Sequence, residues 1–154
     1  MPTLEGLPAG YVAINRAEEG NVGFCLGGWK IKASEVLGGW GPLLYDVAME
    51  WATKNGGGLL SDRNLVSKEA FAVWNYYDKH RSDIETAQLD IVSGQNFKQL
   101  TPDDPKDDCS QYSSIKWMDY EGGEWYDQPT SRIYRSKGTP TIDKLQALGR
   151  LEEI

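Results

Sequence analysis

The chain has little of several things that would settle a function early. Among its 154 residues there is one histidine, His80, and two cysteines, Cys25 and Cys109. A pair of cysteines cannot build a disulfide framework, and with a lone histidine it does not complete a four-ligand structural zinc site. No metal is therefore expected. Basic residues are scarce as well: 16 Lys and Arg stand against 23 Asp and Glu, a formal charge of −7. A nucleic-acid binder needs a basic face to neutralise phosphates, so nucleic acid is not an expected partner. Docking on anionic lipid is disfavoured for the same reason. No run approaches the ~18 apolar residues of a membrane span. Met1–Gly10 has no basic segment leading into an apolar run, so neither a span nor a secretory signal is expected. These absences point to a cytoplasmic protein.

What is present fits one globular domain covering residues 1–154. Hydrophobic residues are 40% and charged residues 25%, inside the range of chains that fold around a core. The aromatics are weighted toward 6 Trp and 8 Tyr over 3 Phe, side chains that join a large apolar body to a polar tip and favour half-buried walls.

Periodicity divides the chain. Tyr11–Asn15 and Val22–Leu26 are short β-rich runs. Trp29–Ala33 alternates apolar with charged residues, the pattern of a strand with one wet face. Together they predict an antiparallel pair or meander. After the loop Ser34–Gly41, Pro42 is placed to open a helix, since its missing N–H costs nothing in the first turn. Leu44, Val47, Ala48 and Trp51 follow at helical spacing, with Asp46 and Glu50 on another face, and Gly56–Gly58 stop the helix. Leu59–Leu60 reads as a brief strand beside Trp29–Ala33. Ser67 caps a second helix with Ala70, Phe71, Trp74 and Tyr77 on its apolar stripe, ending near His80–Ser82. Further on, Ile84–Val92 has mixed period. Thr101–Asp108 is an acidic loop without an EF-hand pattern, and Gly122–Gly123 predicts a hairpin turn between Trp117–Tyr120 and Trp125–Tyr126. Thr139–Pro140 caps a final short helix carrying Ile142, Leu145 and Leu148, closed by Gly149. The fold class expected is α+β, a short mixed sheet flanked by helices. The core is expected in about residues 11–80, and 81–154 as a C-terminal extension.

A strand that runs through glycines into a helix leaves the first amide N–H groups of the helix unpartnered and adds the positive end of its dipole, a setting suited to phosphate. A plain tight turn is the competing reading. A Walker loop is excluded because no Gly-Lys-Ser/Thr follows, and a dinucleotide fingerprint fits poorly because Leu44 stands where its third glycine belongs.

At these residues the sequence resembles the GNAT superfamily of acetyl-CoA-dependent N-acetyltransferases. That family's signature is a strand, a loop of the form Gln/Arg-x-x-Gly-x-Gly/Ala, and a helix whose start holds the coenzyme A pyrophosphate. Val36-Leu37-Gly38-Gly39-Trp40-Gly41 supplies both glycines of the pattern at Gly39 and Gly41, and Pro42–Ala52 follows as the helix. Leu59–Asp62 and Ser67–Ala70 occupy the places of the family's next strand and next helix. The resemblance spans about Trp29 to His80. It implies acetyl-CoA as substrate, with Ile31, Lys32 and Ala33 along the pantetheine arm and Leu37, Gly38, Gly39, Trp40, Gly41 and Pro42 around the pyrophosphate. An amine of a small molecule or protein would accept the acetyl group. Tyr77, one turn past the family's tyrosine position, would serve as the acid for the leaving thiolate, and Asp62 as the base or the holder of a water acting as one.

The chain also departs from the family. Val36 replaces the Gln or Arg, Ser67 the asparagine and Trp74 the tyrosine, and only about 35 residues precede the loop, short of the helices that shape the acceptor site in family members. Binding should survive such losses more easily than catalysis. Tyr77 also has a plain reading as a core residue on the stripe of Ala70 and Trp74. The run Gly41–Glu50, with Ser61-Asp62-Arg63 and Val66-Ser67, is similar to uncharacterised GNAT-like proteins of tailed bacteriophages. That similarity implies a place in the host cytoplasm or the virion. It also implies an alternative role as a non-catalytic module that binds host or virion proteins.

Overall fold

The structure is a computed structural model that describes residues 3–4, 7–8, 10–16, 27–36, 40–61, 68–92, 108–110 and 128–152. Its strands are β1 (Thr3–Leu4), β2 (Leu7–Pro8), β3 (Gly10–Arg16), β4 (Trp29–Val36), β5 (Leu59–Leu60), β6 (Ile84–Gln88), β7 (Asp90–Val92), β8 (Asp108–Ser110) and β9 (Arg132–Ser136). The helices are α1 (Gly41–Asn55), α2 (Lys68–His80) and α3 (Pro140–Ala147), and a 3-10 turn occupies Pro129–Ser131. The class is α+β.

The central sheet has the order β3-β4-β5-β9-β6. β3 and β4 pair antiparallel, β4 and β5 parallel, and β9 lies antiparallel to both β5 and β6. β6 therefore runs parallel to β5. The crossovers β4-α1-β5 and β5-α2-β6 advance the same way across the sheet, and the right-handed rule puts both helices on one face. The core follows that layout. Ile31, Leu59 and Tyr134 from the sheet pack with Tyr45, Met49 and Ala52 of α1 and with Trp74 and Tyr77 of α2. Their sequence neighbours Leu60 and Ile133 join Leu89 in a second buried cluster, as side chains alternating across a pleat must.

The turn between α1 and β5 is glycine because of what surrounds it. A Cβ on Gly56 would meet the Gly27 carbonyl oxygen at 2.5 Å, and one on Gly58, at φ +126°, would meet the Tyr134 carbonyl oxygen at 2.5 Å. The chain passes here between two backbones, Gly57 donating its N–H to Gly27 at 2.9 Å. α3 begins differently. Buried Glu50 of α1 accepts the N–H groups of Thr141 and Ile142 at 2.8 and 3.0 Å through Oε1, so a carboxylate from another helix caps the start of α3.

The strand at Trp29–Ala33, the helix after Pro42, the brief strand Leu59–Leu60, the second helix and the closing helix all stand close to their expected places. Two corrections concern the second half. The sequence reading placed the core in about residues 11–80, but Ile84 and Tyr134 belong to the same buried cluster as Ile31 and Trp74. It also gave no strand to 132–136, where β9 inserts between β5 and β6. In β9 the adjacent Ile133 and Tyr134 are both buried, one in each cluster, so the alternation that reveals a half-exposed strand is missing. The expected strand Val22–Leu26, the acidic stretch up to Asp107 and the hairpin around Gly122–Gly123 lie outside the described residues.

Candidate functional site

The site begins where the described pairing of two parallel strands stops. β4 pairs with β5 only at Trp29↔Leu59 and Lys30↔Leu60, while β4 continues to Val36. The Ser61 hydroxyl, just after β5, donates to the Thr130 carbonyl at 3.2 Å, tying it to the 3-10 turn ahead of β9. Among the described residues, the stretch 31–36 of β4 pairs with no residue of β5. In open sheets with parallel strands, the crevice beyond the carboxyl ends is the usual place for a ligand.

β4 is irregular at the same place. Its register against β3 passes from Ile14↔Ile31 to Ala13↔Ala33, which leaves Lys32 as the extra residue of a bulge. The bulge keeps Ile31 and Ser34 on the helix face together. Ile31 is in the core, and the Ser34 and Tyr45 hydroxyls lie 3.1 Å apart.

α1 starts at Gly41, shortly after the end of β4 at Val36. Trp40 precedes it without a side-chain cap, and no acidic residue stands in the first turn. Leu44 donates its N–H to the Trp40 carbonyl at 3.2 Å as the helix begins. Among the described residues, nothing lies within 4 Å of the place a Cβ on Gly41 would take. A helix start without a side-chain cap is an electropositive place.

The candidate residues fall into distinct places. Ile31 is a buried β4 residue, Lys32 is exposed at the bulge, and Ala33 contributes its backbone opposite Ala13. Trp40, Gly41 and Pro42 form the start of α1. Leu37, Gly38, Gly39 and Asp62 lie outside the described residues. Tyr77 is 1% exposed, packed among Trp74 and Tyr134. Its hydroxyl donates to Asp46 Oδ1 at 2.7 Å, and the same carboxylate accepts from Arg81 Nη1 at 3.1 Å. Burial, then the charge of Asp46, pushes the Tyr77 hydroxyl well above the ordinary tyrosine value. Its proton is held between α1 and α2.

The sequence reading passed over the Ser34–Tyr45 pair, the Asp46–Arg81 link and the buried role of Glu50. Asp46 and Glu50 one turn apart on a mostly apolar helix were the available sign, since carboxylates in such a setting need partners. It also missed a concavity. α1 carries a second apolar stripe, and with β3 and the stretch Leu145–Glu152 it borders an open groove of about 920 Å³. Among the described residues no group of three or more His, Cys, Asp or Glu is placed to hold a metal ion. No described helix is long and apolar enough to cross a membrane.

No family model, curated protein or solved structure matches this chain.

Proposed function

We propose that the chain is a GNAT-like protein that binds acetyl-CoA and transfers its acetyl group to an amine of a small molecule or protein. One observation carries the reading: the described pairing of β4 with β5 stops after two residue pairs, and the helix that follows β4 starts without a side-chain cap from Trp40. The residues present fit the group. Gly41 and the start of α1 would take the pyrophosphate. Backbone N–H groups of β4 beyond Lys30 would pair with the pantetheine arm and stabilise the oxyanion that forms at the thioester carbonyl.

A second reading, a binding module without turnover in a phage virion or infected cell, is favoured by the state of Tyr77. A tyrosine buried at 1% exposure, its O–H donated to Asp46, is poorly placed to protonate a thiolate.

Thermal melting with coenzyme A tests the binding that the acetyltransferase reading requires. At a hundredfold excess over its dissociation constant, a ligand adds about 2.7 kcal/mol of stability. Gly41→Glu should remove that shift by setting a carboxylate where phosphate would sit. It should leave the free protein as stable as before, because no described residue crowds a side chain there and an acidic residue suits a helix start. No shift in the unaltered protein rejects the acetyltransferase reading. Thiol release from acetyl-CoA in the presence of amines then separates enzyme from module.

A further inference from the structure

α3 is tied to the rest of the protein at one end. Of Pro140–Ala147 only Ile142 is buried, and Ile142 belongs to neither core cluster. Asp143, Lys144, Gln146 and Ala147 are exposed. The hydrogen bonds that close the helix are its own: Leu148 donates to the Lys144 carbonyl at 3.1 Å, and Arg150 to the Leu145 carbonyl at 2.8 Å. At its start the Thr139 hydroxyl donates to Asp143 Oδ1 at 2.9 Å and caps no amide. Among the described residues, the bonds of Thr141 and Ile142 to Glu50 are therefore the only hydrogen bonds between α3 and the rest of the chain.

A hinge precedes the helix. β9 ends at Ser136, whose N–H is fixed on the Thr53 hydroxyl of α1 at 3.1 Å. Shortly after it, Gly138 is exposed at φ +85°, and a Cβ there would meet no described residue within 4 Å. Its backbone turn asks for glycine while nothing described crowds it, so the segment is free to rotate. Glu50 is the opposite case, a carboxylate 2% exposed, and such burial is costly unless its hydrogen bonds are made. When α3 lifts, Glu50 returns to water, which offsets part of what the two bonds and Ile142 contribute to docking.

We propose that α3 is a strap that undocks from α1 as one unit, turning at Gly138 and latched by Glu50, while the sheet and both core clusters stay folded. A helix of eight residues is not stable by itself in water, so the undocked strap unwinds. The native protein thus holds a minor state in which the Glu50 side of α1 is open to solvent before any partner arrives.

Amide hydrogen exchange on the full chain, followed residue by residue by NMR, tests the proposal. Thr141, Ile142 and Leu145 should share one opening equilibrium, at least about tenfold more populated than the opening that exposes Trp29 and Leu89. Those two report on the sheet, since their N–H groups are bonded to the Gly58 and Ser131 carbonyls at 2.8 and 3.1 Å. Glu50→Ala should speed the three strap amides together by about tenfold, because two buried donors lose their acceptor, and should change Trp29 and Leu89 much less. Ile142→Ala, which leaves the latch in place, should act on the same amides in the same direction. Strap amides that exchange no faster than Trp29 and Leu89 in the unaltered protein overturn the proposal. So does a protected Leu145 beside fast Thr141 and Ile142, which marks a fraying helix end. A single factor for strap and sheet amides in either variant also overturns it. The first two outcomes are read on the unaltered protein, so a variant that fails to fold does not shield the proposal. None of the readouts involves coenzyme A, so the result is independent of the acetyltransferase reading.

Discussion

Buried polar atoms in this protein are satisfied by groups far away in sequence. Tyr77 donates to Asp46, and the Tyr134 hydroxyl donates to the Trp74 carbonyl at 3.3 Å. Burial raises both hydroxyls above the ordinary tyrosine value, with a carboxylate adding to the shift in each case, Asp46 for Tyr77 and Asp78 for Tyr134. A folded-state value above the unfolded one means the stabilisation is complete below about pH 10, the unfolded value, and is lost as pH rises beyond it. In an alkaline titration followed by tyrosinate absorbance, these two should stay silent while the chain is folded. Their signal should come only with unfolding. Early ionisation of all the tyrosines would contradict the buried placement.

The junctions between elements are set by close approach. The end of α1 was legible from Gly56–Gly58, but the reason for glycine was not, because the neighbours are Gly27 and Tyr134 from distant parts of the chain. Gly58→Ala should be destabilising by about 1–3 kcal/mol, from positive φ together with the clash on the Tyr134 carbonyl, measured by denaturant midpoint. Gly41→Ala, with no described residue within 4 Å of the added Cβ and no unusual φ, should cost much less. The start of α3 was likewise legible from Thr139–Pro140, whereas its cap comes from Glu50 in α1.

At the scale of the whole molecule the sheet is shared between the halves of the chain. β5 has two residues, and its partners are β4 on one side and β9 on the other. Without β9, Leu59 and Leu60 lose the cover of Tyr134 and Ile133 on their respective faces. A fragment ending at Ser82 should therefore show no cooperative thermal transition, while the full chain melts in one step. A fragment that melts cooperatively would restore the smaller core of about residues 11–80.

Sequence alone determined the local order of strand, glycine loop, helix, short strand and helix, because period, proline and glycine act over a few residues. It also named the start of α1 as the place to look for an anion. Tertiary structure alone decided how far β4 pairs with β5, which tyrosine proton is engaged, and that α1 turns a second apolar stripe toward an open groove. Each of these depends on residues brought together from separate parts of the chain: Ser61 with Thr130, Tyr77 with Asp46, and Trp51 with Leu148 across the groove. Side-chain period records that a face is apolar, and only packing determines what covers it.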